Sequence, residues 1–118
     1  MESKCRTFPT VFDDTYIPYA ELDDERMDMV EDESEFVRVM AAAQGYGLDK
    51  LVSDESSWVR MAIAFRACEL DKLVDDEDYR VRYWVAYRGY GLDKLVNDKI
   101  WCVRSMAQAV ASELQQTS

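Results

Sequence analysis

Leu48-Asp49-Lys50-Leu51-Val52 returns as Leu70-Asp71-Lys72-Leu73-Val74 and again as Leu92-Asp93-Lys94-Leu95-Val96, a spacing of 22 residues each time. Working outward from it, other columns obey the same period. Val-Arg stands at 37–38, 59–60, 81–82 and 103–104, and six residues before each arginine stands Asp32, Asp54, Asp76 or Asp98. Gly-Tyr-Gly precedes the first and third copies at 45–47 and 89–91, with Ala67-Cys68-Glu69 in the middle one. A fixed period of this length marks stacked supersecondary units, none of which can bury its apolar face alone.

Each unit reads as a longer helix, a tight turn and a short second helix. In the third unit Asp76 occupies the N-cap place, with Glu77 and Asp78 in the first turn, where the helix dipole favours acids. The helix is predicted over 77–88, Gly89 supplies a left-handed end, and 92–96 forms the short helix. Asp32-x-x-Glu35 resembles a capping box with Asp as the cap. Leucine-rich repeats share the period, but they need L-x-x-L-x-L-x-x-N with a strand on L-x-L. Here Leu48-x-x-Leu51-Val52 runs into Ser53-Asp54, so the strand consensus is missing.

The combination D-x-x-x-x-V-R-x-x-x-A followed by G-x-G-L-D-K-L-V-x-D resembles the leucine-rich repeat variant and HEAT-like families of bacterial α-solenoids, over roughly residues 26–107. That resemblance implies an all-α fold: a short right-handed α-solenoid of about four 22-residue helix–turn–short-helix repeats at 32–118, behind an acidic N-terminal arm or cap at 1–31. It also implies a buried polar ladder between repeats. Its members would be Asp54, Asp76 and Asp98 with Arg60, Arg82 and Arg104, and more loosely Asp32 with Arg38. Solenoids are binding scaffolds, so the expected function is non-catalytic protein–protein interaction, as a scaffold or adaptor.

Composition narrows the chemistry. The chain has 118 residues, 48% hydrophobic and 32% charged, with only 4 Gly and 2 Pro, which suits one helix-leaning globular domain. The longest apolar runs (39–43, 61–65 and 83–87) are five residues each, whereas a spanning helix needs about 20. Met1–Arg6 has no apolar segment behind it, so no secretory signal is expected. There is no histidine, and Cys5, Cys68 and Cys102 are scattered, with no C-x-x-C pair. Three free thiols in a reducing bacterial or phage-infected cytoplasm, no metal and no cofactor are the expectation. Neither a phosphate-binding G-x-x-x-x-G-K-[ST] loop nor an EF-hand signature is present, and no nucleophile can pair with a histidine, so an enzyme is not expected.

The net charge of −10 is uneven: residues 1–35 hold 12 acids against three bases, and residues 36–118 hold 12 against 11. Such a field repels nucleic acid and suits a basic partner. The acids Asp23, Asp24, Glu25, Asp28, Glu31 and Glu33 therefore carry an alternative reading. In it the chain is a mobile-element inhibitor, anti-CRISPR-like or a DNA mimic, that blocks a basic nucleic-acid-binding protein.

Helical geometry sorts the repeat columns into two faces. Val59, Ile63 and Ala64, with Arg60 among them and their counterparts one period away, form the inward side. The opposite side carries Met61, Phe65, Tyr83, Trp84 and Tyr87, residue types enriched at interfaces, bordered by Arg66 and Arg88. Those residues are candidate partner contacts unless neighbouring helices or residues 1–31 cover them. Residues 1–20, with Phe8, Phe12, Tyr16 and Tyr19, read as an extended arm docking by its aromatics. Residues 20–30 read as a helix with Leu22, Met27, Met29 and Val30 inward.

Overall fold

The structure, a computed structural model, describes residues 16–117. These form a 3₁₀ turn at Tyr19–Glu21 and eight α-helices, with no β-strand among the described residues. The helices are α1 (Asp24–Val30), α2 (Glu35–Ala43), α3 (Leu48–Leu51), α4 (Ser57–Phe65), α5 (Leu70–Leu73), α6 (Tyr79–Tyr87), α7 (Leu92–Leu95) and α8 (Trp101–Thr117). The longer helices pack in sequence, α1 on α2, α2 on α4, α4 on α6 and α6 on α8, and each short helix touches the long helices on either side of it. The molecule measures 46 × 27 × 26 Å. None of the described helices is long and apolar enough to cross a membrane.

The helix starts depart from expectation by two residues. Asp32, Asp54, Asp76 and Asp98 each accept the backbone amide two positions on, at 2.8, 2.9, 2.9 and 2.8 Å. They begin an Asx turn, and the cap falls two residues on, at the residue whose amide the aspartate accepts. Ser34, Ser56 and Asp78 are the N-caps of α2, α4 and α6, and Asp78 accepts the Arg80 amide at 2.8 Å. Asp76 as N-cap and the Asp32–Glu35 capping box are thereby corrected.

The turns show which constraint dominates. Gly45 and Gly47 have φ of 85° and 59°, and Gly89 and Gly91 have 83° and 63°. The middle turn has the same shape built from Ala67 (66°) and Glu69 (52°), at about 1–2 kcal/mol for each non-glycine residue. One period further on stand Ala111 and Glu113; no turn forms there and α8 continues to Thr117.

The inward columns make the core. Val59, Ile63, Ala64, Val81, Val85, Ala86, Val103 and Ala107 are completely buried, with Leu48, Leu51, Leu73 and Leu95 from the short helices beneath them. Leu22 and Val30 join the same core, with Met27 and Met29 packed against it, which leaves the α1 acids outside. Ala42, Ala64 and Ala86 share one column; Gln108, the fourth member, is exposed and donates its amide to the Val96 carbonyl at 3.3 Å.

Residues 16–22 lie across the first glycine turn, with Ile17 bridging to Tyr46. The Phe8 and Phe12 part of the expected arm, and Cys5, fall outside the described residues. Cys102 is free, but buried Cys68 is disulfide-bonded, so the expectation of three free thiols is corrected at that position.

Candidate protein-interaction surface

The inward polar groups are committed to the fold. Arg60 donates from Nε and Nη2 to the Asp76 carboxylate at 2.8 and 3.1 Å, and from Nη1 to the Asp54 carbonyl at 2.6 Å. Arg82 does the same with Asp98 (2.7 and 3.1 Å) and the Asp76 carbonyl (2.7 Å). Arg38 does so with Asp54 (2.8 and 3.1 Å) and the Asp32 carbonyl (2.8 Å). Each arginine thus grips the carboxylate sixteen residues ahead, and takes only the main-chain oxygen of the aspartate six behind it. Arg104 keeps the second half of this pattern, donating to the Asp98 carbonyl at 2.9 Å. Fork-to-fork pairs of this kind are strong and directional, and Arg60 and Arg82 are each 8% exposed.

The outward side of the same helices carries a cluster of aromatic rings. Trp84 meets Phe65, Tyr83 and Tyr87 edge-on, with centroids 5.4, 5.6 and 5.3 Å away. The Arg88 guanidinium lies 4.8 Å from the Phe65 ring centre and 5.5 Å from that of Tyr87, and its Nε donates to the Phe65 carbonyl at 2.7 Å. Tyr87 is 47% and Phe65 37% exposed; Met61, Tyr83 and Trp84 are half-buried. Arg66 departs from its expected place at the edge of the patch. It is buried and donates to the Ala43 carbonyl at 2.9 Å, so it ties α4 to α2.

Sequence reasoning missed a second row. Phe36, Trp58, Tyr79 and Trp101, at the first turns of the long helices, are 70, 54, 43 and 68% exposed. Arg80 stands 5.8 Å from the Trp58 ring centre, held there by Asp78 (3.1 and 2.9 Å) and Ser57 (3.2 Å). The signal was available: Phe36 and Trp58 immediately precede Val-Arg, and Tyr79 and Trp101 precede it by two. Counted together with Phe65 and Tyr87, at about 200 Å² per ring, the exposed fractions of the six aromatics amount to roughly 600 Å². Between α6 and α8 lies a cleft of about 300 Å³ lined by Tyr83, Trp101, Cys102, Ser105, Met106 and Ala109. Neither Ser57–Phe65 nor Tyr79–Tyr87 contains an acid.

The acidic residues lie on a different surface. Asp23 caps α1, accepting the Arg26 amide at 2.9 Å, and Asp24, Glu25, Asp28 and Glu33 are exposed. Glu31 accepts the Tyr19 hydroxyl and lies 3.6 Å from Lys50; that hydrogen bond above all holds its carboxyl below the usual range. No group of His, Cys, Asp and Glu among the described residues could hold a metal ion. Compared with protein-family models, curated proteins and solved structures, the chain matches none of them.

Proposed function

We propose that the chain is a short HEAT-like solenoid that binds another protein without catalysis, with the outward side of α2, α4, α6 and α8 as the docking surface. The observation that carries this reading is the ring cluster around Trp84. It is partly exposed, through Phe65 and Tyr87, free of acids in a chain of net charge −10, and borne on helices whose inward side is fully used. Partly exposed Tyr, Trp and Phe beside arginine are the residues that most often dominate binding energy. A second reading, an acidic inhibitor of a basic nucleic-acid-binding protein, is favoured by Asp24, Glu25 and Asp28, exposed and in no ion pair among the described residues.

Affinity capture from a host extract at about 0.05 and about 0.5 M salt separates the two, since the Debye length falls from about 14 to about 4 Å. Joint replacement of Tyr83 and Tyr87 by alanine is expected to abolish capture while the helical circular dichroism stays unchanged, and salt is expected to matter little. If capture ignores the tyrosines but is lost at high salt, and on changing Asp23, Asp24, Glu25 and Asp28 to Asn and Gln, the acidic reading takes its place.

A further inference from the structure

Gly45–Val52 and Gly89–Val96 are the same eight residues, 44 positions apart. In the first copy the turn is filled by the chain's own Tyr16–Tyr19. The Ile17 amide donates to the Gly45 carbonyl at 3.0 Å, and the Gly47 amide donates to the Ile17 carbonyl at 2.8 Å. The Tyr19 amide donates to Asp49 Oδ1 at 3.0 Å, and its hydroxyl donates to Glu31. Lys50 Nζ sits 4.7 Å from the Tyr19 ring centre. Tyr16 lies close enough to Asp49 that burial, reinforced by that charge, pushes its phenol up to about 12.

Every one of these partners recurs 44 residues on: Gly89, Gly91, Asp93, Lys94, and Asp75 in the column of Glu31. Lys94 pairs with Asp75 as Lys50 pairs with Glu31. The turn has the same left-handed glycines. Yet among the described residues no main-chain group donates to the Gly89 carbonyl, and the Gly91 amide finds no main-chain acceptor. Exposure follows: Gly45, Gly47 and Leu48 are buried, whereas Gly89, Gly91 and Leu92 are half-buried. The middle turn is no third copy, because Ala67, Cys68 and Glu69 are themselves buried and replace the Gly-Tyr-Gly.

We propose that the Gly89–Asp93 turn is a docking site for an extended peptide segment of a partner protein, with a β-branched residue between two aromatic ones as in Tyr16-Ile17-Pro18-Tyr19. Main-chain hydrogen bonds supply the attraction and the flanking rings the specificity, as in strand addition. Proline in the segment holds the residue before it extended, which lowers the ordering cost. The segment comes from another protein and not from a second copy. In each copy Tyr16–Tyr19 is tethered beside its own first turn, where an effective concentration in the millimolar range outcompetes transfer.

The test uses the full chain, labelled with ¹⁵N, and a capped synthetic peptide of residues 15–21. The Gly91 and Leu92 amide resonances are expected to shift and saturate while Gly47 stays in place. Asp93→Ala is expected to weaken binding about fivefold, the worth of one hydrogen bond. Its counterpart in the second repeat, Asp71→Ala, and the paired Tyr83 and Tyr87 substitutions leave binding unchanged, so this result does not depend on the outward face. No shift at Gly91 with millimolar peptide, a shift at Gly47 instead, or indifference to Asp93→Ala overturns the proposal.

Discussion

The two sides of α4 and α6 are written in the same nine-residue helices and obey opposite rules. Inward, the columns barely change along the chain: Val59, Val81, Val103; Arg60, Arg82, Arg104; Ala64, Ala86. Outward, Met61 becomes Tyr83 and then Ser105, Ala62 becomes Trp84 and then Met106, and Phe65 becomes Tyr87 and then Ala109. An inward residue meets a copy of its own environment on the next helix, so its size and charge are fixed from both directions. An outward residue is released from that requirement. Repetition therefore marks the seam, and departure from repetition marks the side open to other demands.

The largest test of this contrast lies two residues apart. Arg82→Ala leaves the Asp98 carboxylate buried without its partner, at a cost of about 3–5 kcal/mol. Arg80→Ala removes a pair in which the arginine is half exposed and Asp78 only partly buried, and, with solvent screening, should cost about 1 kcal/mol. Equal midpoints in urea titrations would erase the distinction between the two sides. Next in size, Ala86→Leu forces extra volume into a fully buried column and should cost about 1–3 kcal/mol. Ala109→Leu on the outward side should be close to neutral by the same titration.

A smaller effect appears in acid. Burial raises the Asp98 carboxyl, but hydrogen bonds from Arg82 and the Ile100 amide outweigh it and hold it below the usual range. Asp78 is lowered to about 2, chiefly by its hydrogen bond from Arg80. A carboxyl depressed in the folded state contributes fully above its unfolded value, near 3.9, and loses that contribution as pH falls through the folded value. Stability should thus decline from about pH 4 to pH 2, and Asp98→Asn should flatten that decline. An unchanged slope in Asp98→Asn would mean that the seam does not titrate.

Much of the core was legible because a repeat supplies several readings of each position. Val59, Ile63 and Ala64 could be placed inward from spacing alone, since three or four equivalent residues agreed. The helix starts were misread where one carboxylate had two claimants. Asp76 looked like a cap to a reader of the first turn, but Arg60 and the Asp78 amide both hold it, and the cap passes to Asp78. The outward face was only half legible. Phe36, Trp58, Tyr79 and Trp101 lie ahead of the Val-Arg pair, outside the columns counted from it, and whether a ring is covered depends on parts of the chain distant in sequence. Arg66 and Arg88 occupy one column, yet only Arg88 remains at the surface patch, for the same reason.

The sixteen-residue reach from each arginine to the next aspartate acts as a ruler. Within it lie the end of the long helix, the turn and the whole short helix. Adding or removing one residue anywhere in that span rotates the next aspartate away from the fork waiting for it, and shifts every later column out of phase. Cutting at the same letter in two neighbouring units keeps every fork matched. Mutation by single-residue insertion or deletion is therefore closed to the interior of this chain, whereas duplication or loss of whole 22-residue units leaves its internal grammar intact.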